Sequence, residues 1–329
     1  MREIAVIGAG VMGLATARAL SRAGRDVVVY EQFEPGHARG SSHGRSRIVR
    51  LAYAEPQWVR LAQEALAGWR ELETEAAEQL LELNGLIEIV TDLGESSATA
   101  LEACGVAWQR LDRDEVERRF PLRLPPGTFG VLQPEAGIVR ADRAIAAFAR
   151  GIDVRYGTRV SSLTELDAAC IVVTAGAWVN DLVKPPLPVR VTRETVCYFR
   201  PADARPMPAF VSIGPRTGGI RLYALADPVH GIKAAVHHGG PEVDPNETGK
   251  PDAVLIDAIT AWIGEHVLLA DPRPIEAQTC LYTSTADESF VLERRGRIVV
   301  GSACSGHGFK FAPAIGARLA ALAIEAVSA

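Results

Sequence analysis

Two short stretches near the end of the chain hold side chains for which an ordinary core has little use: Thr279-Cys280-Leu281-Tyr282-Thr283 and Ser305-Gly306-His307-Gly308-Phe309-Lys310-Phe311. The first sets a thiol among small polar residues, where a nearby cation would favour the nucleophilic thiolate. The second sets a lysine between two phenylalanines, just after a Gly-His-Gly turn. A third concentration of chemistry lies far upstream, in Ser41-Ser42-His43-Gly44-Arg45-Ser46-Arg47-Ile48-Val49-Arg50. Guanidinium forks pair with carboxylate or phosphate, and the small residues around them let backbone approach a ligand. A fourth stretch, Gly231-Ile232-Lys233-Ala234-Ala235-Val236-His237, follows closely on Tyr223.

These groups are useful only if something positions them, and the first thirty residues supply the clearest frame. The apolar run 3–7 reads as a strand buried on both faces. Gly8-x-Gly10-x-x-Gly13 follows and opens a helix that Gly24 stops, and a second strand, 27–30, ends at Glu31. Strand, glycine turn, helix and acid together form a dinucleotide fingerprint. The glycines admit a pyrophosphate, the helix N-terminus attracts it, and Glu31 would accept from a ribose hydroxyl. The fingerprint does not separate FAD from NAD. A second buried strand, Ile171 to Thr174, runs into Ala175-Gly176 and weighs toward FAD, because such a turn closes under the same dinucleotide in many FAD proteins.

The remaining pattern predicts one long amphipathic helix over 57–83, helices near 140–150, 253–263 and 312–327, and β-type runs at 189–199, 220–223 and 232–237. Residues 189–275 lack the βα alternation of the start. The expected architecture is therefore α/β (α+β overall): a Rossmann-like FAD-binding domain (1–84, 138–187 and 276–329) with an interleaved antiparallel-sheet substrate domain (85–137 and 188–275). With 329 residues, a net charge of −5 and 48% hydrophobic residues, the chain has ample core and no basic excess for nucleic acid. No apolar run approaching a membrane span is expected, nor a signal peptide. Five irregularly spaced cysteines suggest neither a disulfide framework nor a metal site. A cytoplasmic protein, monomeric or a small homo-oligomer, is expected.

Taken in order, Gly8–Gly13, Ser42-His43-Gly44-x-Ser46-Arg47-Ile48-Val49-Arg50, Thr279–Thr283 and Gly306-His307-Gly308-Phe309-Lys310 resemble the monomeric sarcosine oxidase and N-methyltryptophan oxidase family of FAD-dependent amine oxidases over nearly the whole chain. The resemblance implies FAD held covalently through Cys280. It implies a substrate carboxylate clamped by Arg50 and Lys310, with Lys310 also beside the flavin. Arg47 would lie over the flavin ring and His43 near it. Lys233 would promote oxygen reduction, while His237 contacts the substrate region and Tyr223 lines the pocket. Ser42, Ala175, Gly176, Gly306 and Gly308 join the cofactor-binding set.

The implied reaction is oxidation of a secondary amine, an N-methyl or cyclic amino acid, to an imine with release of hydrogen peroxide. A flavin dehydrogenase using another acceptor and a primary amino-acid oxidase remain alternatives on the same fold. Two departures bear on the substrate. Arg45-Ser46 stands where the family commonly has Asp-Thr, and the chain is shorter than typical members, with the missing length expected between 195 and 275.

Overall fold

A computed structural model describes residues 2–202, 204–212 and 221–329. Strands and helices are numbered in chain order. β1 (Arg2–Ile7) is the centre of a six-stranded sheet ordered β16 (Val291–Arg295), β17 (Ile298–Ser302), β10 (Ala168–Val173), β1, β2 (Val27–Tyr30) and β9 (Asp153–Arg155). All neighbours are parallel except β16 against β17. Val6 and Val172 pair in register and are fully buried, as expected of strands covered on both faces. Because β1, β2, β10 and β17 run the same way, the residues that follow them (Gly8, Glu31, Thr174 and Ala303) meet at one edge.

An eight-stranded sheet stands beside it, ordered β15 (Glu276–Ser284), β11 (Arg190–Phe199), β14 (Gly231–His237), β13 (Arg221–Asp227), β12 (Ala209–Ser212), β5 (Leu86–Val90), β7 (Phe129–Gln133) and β6 (Gln109–Leu111). Its pairings are antiparallel apart from β12 with β5. Ile220, expected in the β13 run, lies outside the described residues. A small third sheet, β3 (Ser46–Val49), β8 (Gly137–Arg140) and β4 (Leu81–Glu82), lies against β13 of the eight-stranded sheet. The arginine-rich stretch is therefore only partly loop: from Ser46 it is a strand paired with β8.

Helices α1 (Val11–Arg22) and α8 (Ala312–Ser328) pack on the six-stranded sheet, α2 (Pro56–Ala76) packs on α8 and α5 (Ala141–Ala149) on α1, whereas α7 (Ala253–His266) covers the eight-stranded sheet. The short α3 (Ala98–Ala103), α4 (Arg113–Arg119) and α6 (Val179–Leu182) complete the set. α2 buries Val59, Ala62, Leu66, Trp69, Leu72 and Ala76, the stripe expected of an amphipathic helix. It stops seven residues short of the expected Leu83. Ala77 turns left-handed (φ 49°), and the Glu73 carboxylate accepts from the N–H groups of Leu80 and Leu81, bending the chain into β4.

One expectation about membranes needs correction. Gly308–Ser328 is long and apolar enough to cross a bilayer by length and composition. Here one face of it packs against α1 and α2: a Cβ on Gly316 would lie 2.7 Å from a backbone carbon of Ala15 in α1, and one on Gly68 of α2 would lie 2.5 Å from the Pro313 side chain. Its small residues serve helix–helix contact.

Candidate active site

A cavity of about 1200 Å³ runs from the strand ends of the six-stranded sheet to the inner face of the eight-stranded one. Single small-molecule pockets span roughly 300–1,000 Å³, so it has room for a dinucleotide and a second ligand. All the site residues expected from sequence line it except Gly13. Gly13 acts one layer back, where a Cβ would lie 1.9 Å from the Gly8 carbonyl oxygen. That glycine lets α1 start against β1.

The dinucleotide end is built from backbone. Gly8 is left-handed (φ 99°), and a Cβ there would lie 2.5 Å from the Thr174 carbonyl oxygen. Thr174, absent from the expected set, fixes the crossing of β1 and β10 by donating its hydroxyl to the Ile7 carbonyl at 3.0 Å. Ser42 accepts from the Val11 N–H at the start of α1 at 3.1 Å. Glu31 is buried and accepts from the N–H groups of Ala9 (2.8 Å) and Phe33 (3.0 Å), one on each oxygen. A carboxylate oxygen has a second lone pair, so a ribose hydroxyl can still be accepted. Ala175 and Gly176 line the same end. Glycines that exclude any Cβ, a helix N-terminus and a placed acid fit FAD.

Cys280, on β15, is half-buried on the cavity wall. Burial pushes its thiol up to about 11, with the cations of Arg47 and Lys233 pulling the other way. Arg47 is a pin for the preceding loop, donating to the carbonyls of Ser41, His43 and Ser46, and its guanidinium lies 5.6 Å from the Phe309 ring centre. Lys233 is buried on β14 and donates to the Ser46 carbonyl at 3.3 Å. Burial, then Arg47, pulls its pKa down to about 7. His43 is driven down to about 3 by burial and by Arg47, and its Nε2 is buried without a hydrogen-bond partner among the described residues.

At the other end, Lys310 is buried and donates to the Tyr53 hydroxyl at 3.0 Å and to the His307 carbonyl at 2.6 Å. The Arg50 guanidinium lies 4.6 Å from the centre of the same Tyr53 ring. Burial, then Arg50, holds Lys310 well below the usual lysine range. Among the described residues, neither cation has a carboxylate within ion-pair distance. Tyr53 and His307 carry no expected role, yet they join this end into a chain. Burial and the Lys310 cation press His307 down to about 3, so its ring is neutral. Its Nε2 lies 2.9 Å from the Glu288 carbonyl and must donate, so Nδ1 accepts from the Tyr53 hydroxyl at 3.1 Å.

The glycines flanking His307 make this packing possible. A Cβ on Gly306 would lie 2.5 Å from the His237 and Tyr282 rings, and one on Gly308 would lie 1.6 Å from the Ala303 carbonyl oxygen. Tyr223, half-buried on the cavity wall, and Tyr282, buried there, have phenols raised by burial. Arg45, which looked set to add charge beside the cofactor, is exposed and does not line the cavity.

A parallel sheet whose strand ends fit a dinucleotide, facing a second sheet that carries the buried Lys233, is the frame of a nucleotide-dependent redox enzyme. Comparison sharpens this. Residues 3–322 match the model of the FAD dependent oxidoreductase family, and the chain belongs to it. It is similar to human (Homo sapiens) peroxisomal sarcosine oxidase, with 32% identity covering 97% of this chain and 91% of that protein. It is also similar to N-methyl-L-tryptophan oxidase of Salmonella newport (strain SL254), with 29% identity covering 95% and 92%. Among solved structures it is similar to NikD, described as an unusual amino acid oxidase essential for nikkomycin biosynthesis. That match has a TM-score of 0.86 and 26% identity, covering 98% of this chain and 94% of NikD. The protein is an FAD-dependent oxidoreductase that acts on a small molecule.

Proposed function

We propose that this enzyme oxidises a secondary amine bearing a carboxylate, an N-methyl or cyclic amino acid, to the imine, and that oxygen is reduced to hydrogen peroxide. The observation that carries the proposal is the pairing of Arg50 and Lys310 about Tyr53, two cations at the cavity wall with no carboxylate partner among the described residues. A buried cation without an anion is costly, and a substrate carboxylate would offset that cost at the buried Lys310 while also pairing with the half-buried Arg50. The Gly8–Gly13 turn and Glu31 would hold the nucleotide end of FAD, and Cys280 would tether its ring end. Bound FAD supplies the acceptor for a hydride equivalent from the carbon beside nitrogen.

The chain's own residues set the conditions. Arg50 and Lys310 fix the carboxylate at two points and so orient the C–H bond, which lowers the barrier by positioning. The same cations lower the pKa of a bound ammonium, favouring the neutral amine that can be oxidised. Tyr53, held between Lys310 and His307, keeps the Lys310 ammonium aimed. Lys233, buried on the wall, would stabilise negative charge developing on oxygen. Water hydrolyses the released imine.

We further propose two interleaved domains centred on the six- and eight-stranded sheets. On that division β15 (Glu276–Ser284), with Cys280, goes with the eight-stranded sheet, and the last FAD-binding segment begins after Ser284 rather than at 276.

Anaerobic titration of the purified enzyme tests the reaction. Sarcosine, pipecolate or N-methyltryptophan should bleach the flavin, and the matching amines without the carboxylate should not. Equal bleaching by both sets would reject the clamp. For the tether, acid-precipitated protein should stay yellow and the Cys280→Ala pellet should be colourless; a colourless wild-type pellet would reject it.

A further inference from the structure

Beside the cavity, on the wall formed by the end of β14, stands a group that the oxidation does not use as a unit. Neighbouring residues on a strand point to opposite faces, yet the rings of His237 and His238 lie side by side, their centres 4.3 Å apart. The cause is local. His238 leaves β14 in the left-handed conformation (φ 59°), which turns its ring back beside its neighbour. Glu288, in the loop between β15 and β16, is also left-handed (φ 58°) and brings its carboxylate to the two rings. Residues other than glycine rarely adopt this conformation without a constraint.

Both imidazole Nε2 atoms face one carboxylate oxygen, Glu288 Oε2, from 3.8 Å (His237) and 3.6 Å (His238). These separations are too long for N–H···O hydrogen bonds, which run about 2.7–3.2 Å. They suit two donors on one ion: ligands about 2.0–2.2 Å from zinc at tetrahedral to trigonal angles lie roughly 3.3–3.8 Å apart. The three donor atoms lie within 4.8 Å of one another. His238 Nε2 is shielded from solvent and has no hydrogen-bond partner among the described residues.

We propose that His237, His238 and Glu288 form a three-ligand site for a divalent transition cation of the zinc class. The donor set, two imidazoles and one carboxylate, suits zinc and its neighbours and not calcium or magnesium. Arg221 grips the same carboxylate through both guanidinium nitrogens, with its NH1 2.9 Å from Oε2. An oxygen with two lone pairs can keep that bond and also ligate, so Arg221 becomes the outer partner that orients the ligand. Both supporting loops are tied down. Glu194 accepts from the N–H groups of Gly239 (3.0 Å) and Gly240 (2.9 Å), and the Glu288 carbonyl accepts from His307. His237 and Glu288 line the cavity, so a fourth coordination position is open to water or to a donor atom on a bound molecule.

The test uses the FAD-loaded enzyme, stripped with a chelator and dialysed against zinc chloride. Wild type should retain one equivalent of zinc that His238→Ala does not, with affinity at least about 100-fold weaker in the variant. Cobalt(II) added to the stripped enzyme should give the intense visible bands of a four-coordinate nitrogen–oxygen site, absent in His238→Ala. Flavin content and the thermal midpoint of the metal-free proteins serve as the folding control. If His238→Ala fails that control, His238→Gln takes its place. No retained zinc in wild type, or equal retention in the variant, would overturn the site.

Discussion

The two ends of the cavity are built by opposite means. At the dinucleotide end, recognition rests on main chain and on groups already satisfied: glycines that leave no room for a Cβ, and a Glu31 that accepts two backbone N–H bonds. Toward the far end it rests on charged side chains from distant parts of the chain: Arg50 and Lys310 about Tyr53, and Lys233 on the wall beside Arg47. The first end is complete before a ligand arrives. The second is left in a high-energy electrostatic state that its ligand relieves. Binding energy and chemistry are thereby separated along one cavity.

The separation can be broken most severely at Gly13. Gly13→Val would drive side-chain atoms into the Gly8 carbonyl, which is backbone and cannot yield. The purified protein should lack flavin absorbance altogether, or fail to accumulate; a normal flavin spectrum would show that the turn is not what holds the cofactor. At the other end, Lys310→Met should leave flavin content intact. It should lower kcat/KM for carboxylate-bearing amines by about 100-fold, the scale for losing one partner of a buried charge pair. The same fall with an amine lacking the carboxylate would mean that Lys310 acts on the chemistry and not on the clamp.

Lys233→Met should slow the oxygen step more than flavin reduction, by about 10²-fold or more if its cation is the stabilising charge. Because burial draws Lys233 down to about 7, its cation is present below that pH and lost above it. The oxygen step should therefore weaken as pH rises through about 7, and a flat profile in rapid mixing would remove Lys233 from it. Tyr53→Phe, which cuts the link between Lys310 and His307, should cost about 10-fold in kcat/KM, as for one hydrogen bond to a charged group. Its effect should be greatest on substrate binding.

A separate effect concerns stability. His43 and His307 are held at about 3 by burial, far below an exposed histidine. The unfolded chain binds protons there first, so their neutral state favours folding above pH about 6.5 and that advantage is lost as the pH falls toward 3. The thermal midpoint should drop steadily over that range. A midpoint flat between pH 6.5 and 4 would contradict it.

The contrast also explains what could be read from the sequence. The Gly8–Gly13 turn, its strand, helix and acid are consecutive, so spacing alone defines them. The long-range group had to be inferred from motifs. Arg50 and Lys310 are 260 positions apart, and nothing local says that both face Tyr53. Tyr53 itself is an unremarkable tyrosine three residues past an arginine. His307 stood inside a conspicuous Gly-His-Gly turn, but its partner is the carbonyl of Glu288, reached only through the fold. The end of α2 was misplaced because Leu80 and Leu83 continue a helical spacing, and the turn depends on the Glu73 carboxylate. The His237–His238–Glu288 group could not be seen in a list of spacings, since regular strand geometry would have placed the two rings on opposite faces.

The bond from Lys233 to the carbonyl of Ser46 has a mechanical side. Ser46 belongs to the small sheet, and its own hydroxyl reaches the Asp227 carboxylate at 3.2 Å at the end of β13. β3 is thus bolted to the eight-stranded sheet at two neighbouring points, one through a side chain and one through main chain. Lys233 is a strut as well as a charge. An enzyme without it has a looser seam along the whole arginine-bearing strand, and Arg47 and Arg50 are mounted on and just beyond that strand.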